Sequence, residues 1–383
     1  MDVYLDNSST TFPKPKQVID SMYNYMINIG GNAGRGNYSN TLQSNRFLYE
    51  AREIVSDFFG FSSPSNVIFT NNVTTSLNML IKGLLKTGDH VVTSSMEHNS
   101  VIRPLVNCKE NLKIKLDIID ADDLGFINPS DFASKITSET KLVILTQASN
   151  VTGSIQNIAE VGKICKEKNV FFIVDSSQGA GVLNLDINAV HANAIAFTGH
   201  KSLLGPQGIG GFIIDDKLNA SCRALLQGGT GSLSYSLDQP DFLPDKFECG
   251  THNMPGIIGL SEGIKFIKST GIQNIYEHNH HLMNQLLNGL LNIDNLIVYG
   301  DTTGKNITTC VSINMKCMDS SELGFILEEN AIKTRCGLHC APLAHRTIGT
   351  YPNGTVRLSI GYFNTKEEID YTLKTLNKIS LNK

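Results

Sequence analysis

No block of like charge runs through this chain of 383 residues: 32 Lys and Arg stand against 36 Asp and Glu, for a net charge of −4. Counterion release has little to act on in such a chain, so neither nucleic acid nor an anionic membrane is expected as a partner. No apolar run nears the roughly 20 residues that cross a bilayer. Met1-Asp2-Val3-Tyr4-Leu5-Asp6 has neither the basic head nor the apolar core of a secretory leader, so none is expected. The eight cysteines (Cys108, Cys165, Cys222, Cys249, Cys310, Cys317, Cys336 and Cys340) are scattered rather than packed. That excludes a small disulfide scaffold and predicts reduced thiols in the cytoplasm. Internal repeats and low-complexity tracts are lacking too. What remains, with 41% hydrophobic and 18% charged residues, is an ordinary globular chain, longer than one core usually serves.

From residue 67 onward there is a rhythm of short β-branched runs and helical patterns. Strands are expected at Val67-Thr70, His90-Ser94, Lys113-Ile119, Lys141-Gln147, Val170-Asp175, Asn193-Thr198 and Gly210-Ile214, with helices such as Thr75-Leu85 and Asn157-Lys168 between them. Before them, Pro13 and Pro15 lead into a helix bearing Val18, Ile19, Met22, Tyr25 and Met26. A glycine-rich crossing follows, Gly30-Gly31-Asn32-Ala33-Gly34-Arg35-Gly36, and then an amphipathic helix with Phe47, Leu48, Ala51, Ile54, Val55 and Phe58. Such alternation builds βαβ units, so the expected class is α/β with a mostly parallel seven-stranded sheet covered by helices. Near Pro255-Gly256 the pattern turns to two long helices, short strands at Leu296-Tyr299 and Thr309-Met315, and a closing helix from Lys366. This predicts a large domain over residues 15–255 and a smaller α+β domain from 1–14 and 256–383.

In parallel sheets ligands gather beyond the carboxyl ends of the strands, and there the chemistry-bearing residues fall. Lys201 follows Thr198-Gly199-His200 where a strand opens into a loop. Desolvation or nearby charge would make its amine a nucleophile toward an aldehyde cofactor; otherwise it is a surface lysine. Asp175 ends a buried apolar strand and needs a partner such as a protonated pyridine nitrogen, a helix N-cap or a salt bridge. Gln178 lies in the same loop, and His98, in Met96-Glu97-His98-Asn99, is a ring for stacking and proton transfer or a structural histidine. Phe69-Thr70-Asn71-Asn72-Val73-Thr74-Thr75-Ser76 offers free N–H groups and hydroxyls to a phosphate, or simply caps a helix. Arg357 sits inside a strand and suits a substrate carboxylate or an internal salt bridge. For the loop Thr334-Arg335-Cys336-Gly337-Leu338-His339-Cys340-Ala341-Pro342 three readings stand: a crowded zinc site without a fourth ligand, a thiol pair, or one nucleophilic thiolate.

Taken together, Asp6-Asn7 with Thr10-Thr11, Glu97-His98-Asn99, Ser149-Asn150-Val151-Thr152-Gly153, Asp175 with Gln178, Thr198-Gly199-His200-Lys201, Glu248-Cys249-Gly250-Thr251 and Arg335 to Pro342 occur in an order that resembles the cysteine desulfurases. These are fold-type I, class V aminotransferase-like enzymes, and Gly337-Leu338-His339-Cys340-Ala341-Pro342 is similar to the group II, selenocysteine lyase-like branch. The resemblance implies pyridoxal 5'-phosphate bound as a Schiff base on Lys201, with Asp175 at the ring nitrogen, Gln178 at the ring hydroxyl and His98 stacked on the ring. It places the phosphate on Thr74, Thr198 and His200, with Thr251 supplied by the neighbouring subunit of a homodimer. It assigns the substrate carboxylate to Asn150 and Arg357, and makes Cys340 the thiol that becomes a persulfide. The implied reaction turns L-cysteine into L-alanine and passes sulfur to an acceptor, which could be an iron–sulfur scaffold, a tRNA-modifying enzyme or a free thiol. A selenocysteine lyase, another class V enzyme (an aminotransferase or β-lyase), and a non-catalytic sulfur carrier or metal-binding regulator are the alternatives. The chain departs from the family pattern at Ser176-Ser177, Cys249, His252 and Cys336, and Cys336 is placed to resolve a persulfide on Cys340 into a disulfide.

Overall fold

The computed structural model describes residues 1–34 and 36–381; Arg35 of the glycine-rich crossing and residues 382 and 383 lie outside the described residues. In chain order the elements are β1 (Val3–Tyr4), α1 (Lys16–Asn28), α2 (Ser39–Phe58), β2 (Val67–Thr70), α3 (Val73–Leu84), β3 (His90–Ser94), α4 (Asn99–Leu112) and β4 (Lys115–Ile119). There follow α5 (Pro129–Lys135), β5 (Thr140–Thr146), α6 (Ile158–Glu167), β6 (Phe171–Asp175), β7 (Ala194–Thr198), β8 (Gly210–Ile214) and α7 (Asp216–Ser221). The rest comprises α8 (Met254–Thr270), α9 (Ile272–Leu290), β9 (Leu296–Tyr299), β10 (Cys310–Met315), α10 (Ser320–Glu329), β11 (Ile332–Lys333), β12 (Arg335–Gly337), α11 (Pro342–Thr347), β13 (Thr355–Ser359) and α12 (Lys366–Leu381).

Seven strands form one sheet in the order β2-β8-β7-β6-β5-β3-β4, and β8 alone runs against its neighbours. Alternate residues along each strand enter opposite cores. Val143, Leu145, Phe172, Val174, Ile195 and Phe197 pack with Val55, Val161 and Ile264 on one face. Leu142, Ile144, Phe171, Ile173, Ala194 and Ala196 meet Leu77, Leu80, Val101 and Leu105 of α3 and α4 on the other. Both faces of the strands are thus dry, which explains runs that read as continuously apolar. Strands β4 and β6 start later than expected because Lys113 and Asn169 take left-handed backbone, φ 55° each, before them. Conversely, α3 begins at Val73, two residues early, because the Asn72 side chain accepts from Thr75 N at 3.0 Å and caps the helix.

A four-stranded sheet, β12-β13-β10-β9, forms a third core with α9, α10 and α12, and Val3 and Leu5 belong to it while β1 pairs with β11. Helix α8, however, buries Ile257, Leu260, Ile264 and Ile267 against the large sheet. We therefore propose that residues 1–14 group with the smaller unit and that the division falls near Gly271, one helix later than the sequence pattern suggests.

Candidate active site

The strand order brings the carboxyl ends of β3, β5, β6 and β7 side by side, and with them His98, Asn150, Asp175 and Lys201. Asp175 is the last residue of β6 and 2% exposed. Its Oδ1 accepts from the N–H of Ser177 at 3.0 Å and from the Ser177 hydroxyl. Burial raises its pKa, opposed by those two bonds and by the charge of Lys201. Lys201 stands three residues past β7 on the turn that Gly199 permits: a Cβ there would come within 2.8 Å of Ile209 Cγ2. Burial pushes the Lys201 amine down to about 8, and Arg357 and Arg335 add to this against the pull of Asp175. The lysine is therefore the desolvated amine that aldehyde chemistry requires.

Around this pair lie polar atoms with nothing to bond. Thr198 Oγ1 and His200 Nδ1 are buried and lack partners among the described residues. Burial, with Lys201 and Lys14 nearby, lowers the His200 pKa to about 4, so its ring is neutral. Thr74 is exposed in the first turn of α3, where helix N–H groups are free. It lines a cavity of about 370 Å³ with His98, Asn99, Arg103 and Cys340. The His98 Nδ1 accepts from the Ser100 N–H at 3.0 Å, which puts the proton of the neutral ring on Nε2. Burial, then the charges of Lys201, Arg335, Arg357 and Arg103, holds its pKa down near about 3.

Opposite the floor is the cysteine loop. Cys340 is exposed, and both it and His339 have left-handed backbone, φ 58° and 47°. The loop is pinned at two carbonyls: Asn99 N donates to Cys340 O at 2.8 Å, and Asn150 Nδ2 to His339 O at 2.7 Å. The side chain of Asn150 thus engages the loop. Arg357, 1% exposed on β13, donates from Nη1 to Asn150 O at 3.0 Å and from Nη2 to Asp6 Oδ1 at 2.9 Å and Ser9 Oγ at 2.8 Å. Both the salt-bridge reading and the site reading of Arg357 meet here, because its Nε is buried without a partner among the described residues.

Gln178 is buried and gives its amide to Ser8 O at 3.1 Å. Thr251 is exposed at the end of a long irregular segment after α7, and no hydrogen bond ties its side chain to this floor among the described residues. Cys336 faces away. Strand alternation turns Arg335 toward Ser9 and Cys340, so the Cys336 sulfur packs on Gly324 of α10 at the third core. This placement of Cys336 argues against its resolving a persulfide on Cys340. Three groups had no assigned role in the sequence: Arg335, Ser177 beside Asp175, and the buried Glu97. The period-2 pairing of Arg335 with Arg357 across β12 and β13 was the available signal for the first.

A pyridoxal phosphate fits these residues: orphaned hydroxyl and imidazole atoms for its phosphate, a buried acid held through Oδ1 by Ser177, and a desolvated amine. Fold and floor together define the fold-type I class of pyridoxal phosphate enzymes. Within that class the chain belongs to the aminotransferase class-V family, whose profile matches residues 3–372. It is 36% identical, across 99% of its length and 94% of the relative, to a probable cysteine desulfurase of Methanothermobacter thermautotrophicus. A probable cysteine desulfurase of Pyrococcus abyssi is 32% identical over 98% of this chain and 94% of its own. Among solved structures, the apo cysteine desulfurase of Thermococcus onnurineus superposes with a TM-score of 0.95 at 33% identity, covering 100% of this chain and 95% of the other.

Proposed function

We propose that the protein is a pyridoxal 5'-phosphate-dependent cysteine desulfurase, which moves the sulfur of L-cysteine onto Cys340 as a persulfide and releases L-alanine. The observation that carries this reading is an exposed thiol on a loop docked at Asn99 and lining one cavity with His98, a ring that in turn lies close enough to the desolvated amine of Lys201 to feel its charge. Relatives and a structural neighbour of that name, matched almost end to end, support it.

When bound, the cofactor supplies an electron sink for bonds that break at the substrate's α-carbon. Lys201 would hold it covalently, Asp175 would pair with its ring nitrogen, Gln178 with its ring hydroxyl, and Thr74, Thr198 and His200 with its phosphate. His98 would stack on the ring as a neutral imidazole. The Lys201 amine would take the substrate α-proton and return it to the carbon skeleton. Two N–H groups of Arg357, that of Nε and one of Nη1, are left over for the substrate carboxylate, since its other three donate to Asn150, Asp6 and Ser9. Asn150 serves in the same subsite through the loop it pins. The Cys340 thiolate attacks the sulfur of cysteine: an S–S bond forms, the C–S bond breaks, and its electron pair stays on carbon, where a proton completes alanine. Cysteine and enzyme thiol become alanine and enzyme persulfide, with no outside oxidant.

A homodimer in the cytoplasm belongs to the same reading. Tyr235 and Leu237, 86% and 104% exposed, mark the long segment leading to Thr251 as a surface for the second copy, which would bring Thr251 to the phosphate. The eight free thiols suit a reducing compartment. The persulfide would pass to a sulfur-acceptor protein or small thiol. Incubation with L-cysteine, with alanine and sulfide assayed alongside mass analysis of the peptide holding Cys336 and Cys340, tests the proposal. Pyruvate in place of alanine, or an unmodified Cys340, would refute it.

A further inference from the structure

Glu97, three residues past the end of β3, is fully buried. Its Oε1 accepts from Ser94 Oγ at 2.7 Å and from Thr146 N at 2.9 Å, which fastens the turn after β3 to the end of β5. Thr146 is in register with Asp175 on β6. The other oxygen, Oε2, is buried and finds no partner among the described residues. Two carboxyl groups therefore share one dry floor. From β3 and β5 Glu97 meets a hydroxyl and an amide N–H, and the charged group facing it from β6 is Asp175. The cation nearby, Lys201, is coupled to Asp175.

An ionised Glu97 would be a carboxylate with one bare oxygen, next to a second acid and without a cation of its own. We propose that Glu97 is a positioning residue that stays a neutral carboxylic acid in the working enzyme, tying the His98 turn to the strand ends so that Asp175 is the one charged carboxylate of the floor. Burial raises its pKa to about 8 against the pull of Ser94 and Thr146, and Asp175 adds to the rise. Above that pH a second negative charge appears beside Asp175. The inference rests on the proposed function only for the part played by Asp175, and its test uses no substrate.

The test compares the pH dependence of folding of the cofactor-free protein with that of Glu97→Gln, which keeps shape and neutrality. Between the ordinary glutamate value of 4.5 and about 8, the unfolded chain has released the Glu97 proton and the native protein keeps it, so native stability falls as pH rises. The wild-type folding constant is expected to fall about tenfold per pH unit more steeply than that of the variant across this window. Parallel curves overturn the proposal. If E97Q does not fold, infrared spectra of the wild type decide: a buried protonated carboxyl band present at pH 6 and lost above about 8 supports it, and absence of that band at pH 6 overturns it. Loss of desulfuration chemistry with the one-proton difference intact would instead count against the proposed function alone.

Discussion

The guanidinium of Arg335 stands 3.6 Å from the sulfur of Cys340, Nη2 to Sγ, and its Nη1 donates to Ser9 Oγ at 3.1 Å. The same Ser9 oxygen accepts from Arg357 Nη2 at 2.8 Å and donates to Asp6 Oδ1 at 2.7 Å. The N-terminal segment, β12, β13 and the cysteine loop are thus one hydrogen-bonded unit, and a cation lies beside the thiol at rest.

Because this contact is exposed, where an ion pair contributes about 0–1 kcal/mol, removing that cation is expected to slow reactions of the Cys340 thiolate by about two- to fivefold. Arg335→Ala should alkylate more slowly at Cys340 with iodoacetamide at neutral pH, and Arg335→Lys should recover only part of the rate, lacking the fork that spans Ser9 and sulfur. Equal alkylation rates in all three proteins would leave Arg335 without this role.

Cys340 and Cys336 are four residues apart, but Cys340 is exposed beside Arg335 while Cys336 packs against the third core, which predicts a sharp asymmetry between them. Cys340→Ser should abolish persulfide formation and keep the yellow, borohydride-sensitive cofactor. Cys336→Ser should keep both the cofactor and persulfide formation, and its sulfur-loaded form should carry persulfide on Cys340 at wild-type yield. A Cys336–Cys340 disulfide after turnover would contradict the placement of Cys336 against α10.

Much of the layout was legible because dry parallel strands are spelled in β-branched residues and their last residues are polar for a reason. Asp175 and Lys201 stood out as charges at the ends of apolar runs. The side-chain partners were not legible, since they depend on which loops meet. Nothing in the local sequence tells that Asn150 holds His339 O, that Asp6 and Ser9 hold two arginines 326 to 351 residues away, or that Cys336 turns outward. Likewise α8 reads as the start of a new domain because it follows a long irregular segment, while its apolar face decides its packing on the large sheet.

The Lys201 amine is neutral in the folded protein above about 8, against 10.5 for an ordinary lysine. Capture of added pyridoxal phosphate by cofactor-free protein is therefore expected to accelerate about tenfold per pH unit up to about 8 and then level off, measured by the rise of the visible band. Stability follows with a defined sign. Between about 8 and 10.5 the unfolded chain holds a proton that the native protein lacks, so the cofactor-free wild type should gain stability with rising pH relative to Lys201→Met. A rate of capture that climbs steadily to pH 10 would show the amine to be unperturbed.

Glu248 and Arg52 form a buried pair, side chains 4% and 6% exposed and 2.5 Å apart, and Glu248 Oε1 also accepts from Phe69 N at 2.6 Å. Three residues before Thr251, this acid fastens the long segment to β2, the strand that leads into Thr74 and α3. Cutting Arg52 leaves Glu248 in the core with the His252 ring at 3.6 Å in place of a bidentate guanidinium, a loss of up to about 3–5 kcal/mol. Arg52→Met should therefore lower the midpoint of thermal unfolding by several degrees and release cofactor faster during dialysis, because the Thr251 segment loses its anchor while Lys201 and Asp175 are untouched. The double variant Arg52→Met, Glu248→Leu separates the two effects: with no orphaned charge it should regain most of the stability. If it regained cofactor retention fully as well, Glu248 would be a packing element only, and the path from β2 to Thr251 would carry no part of the phosphate site.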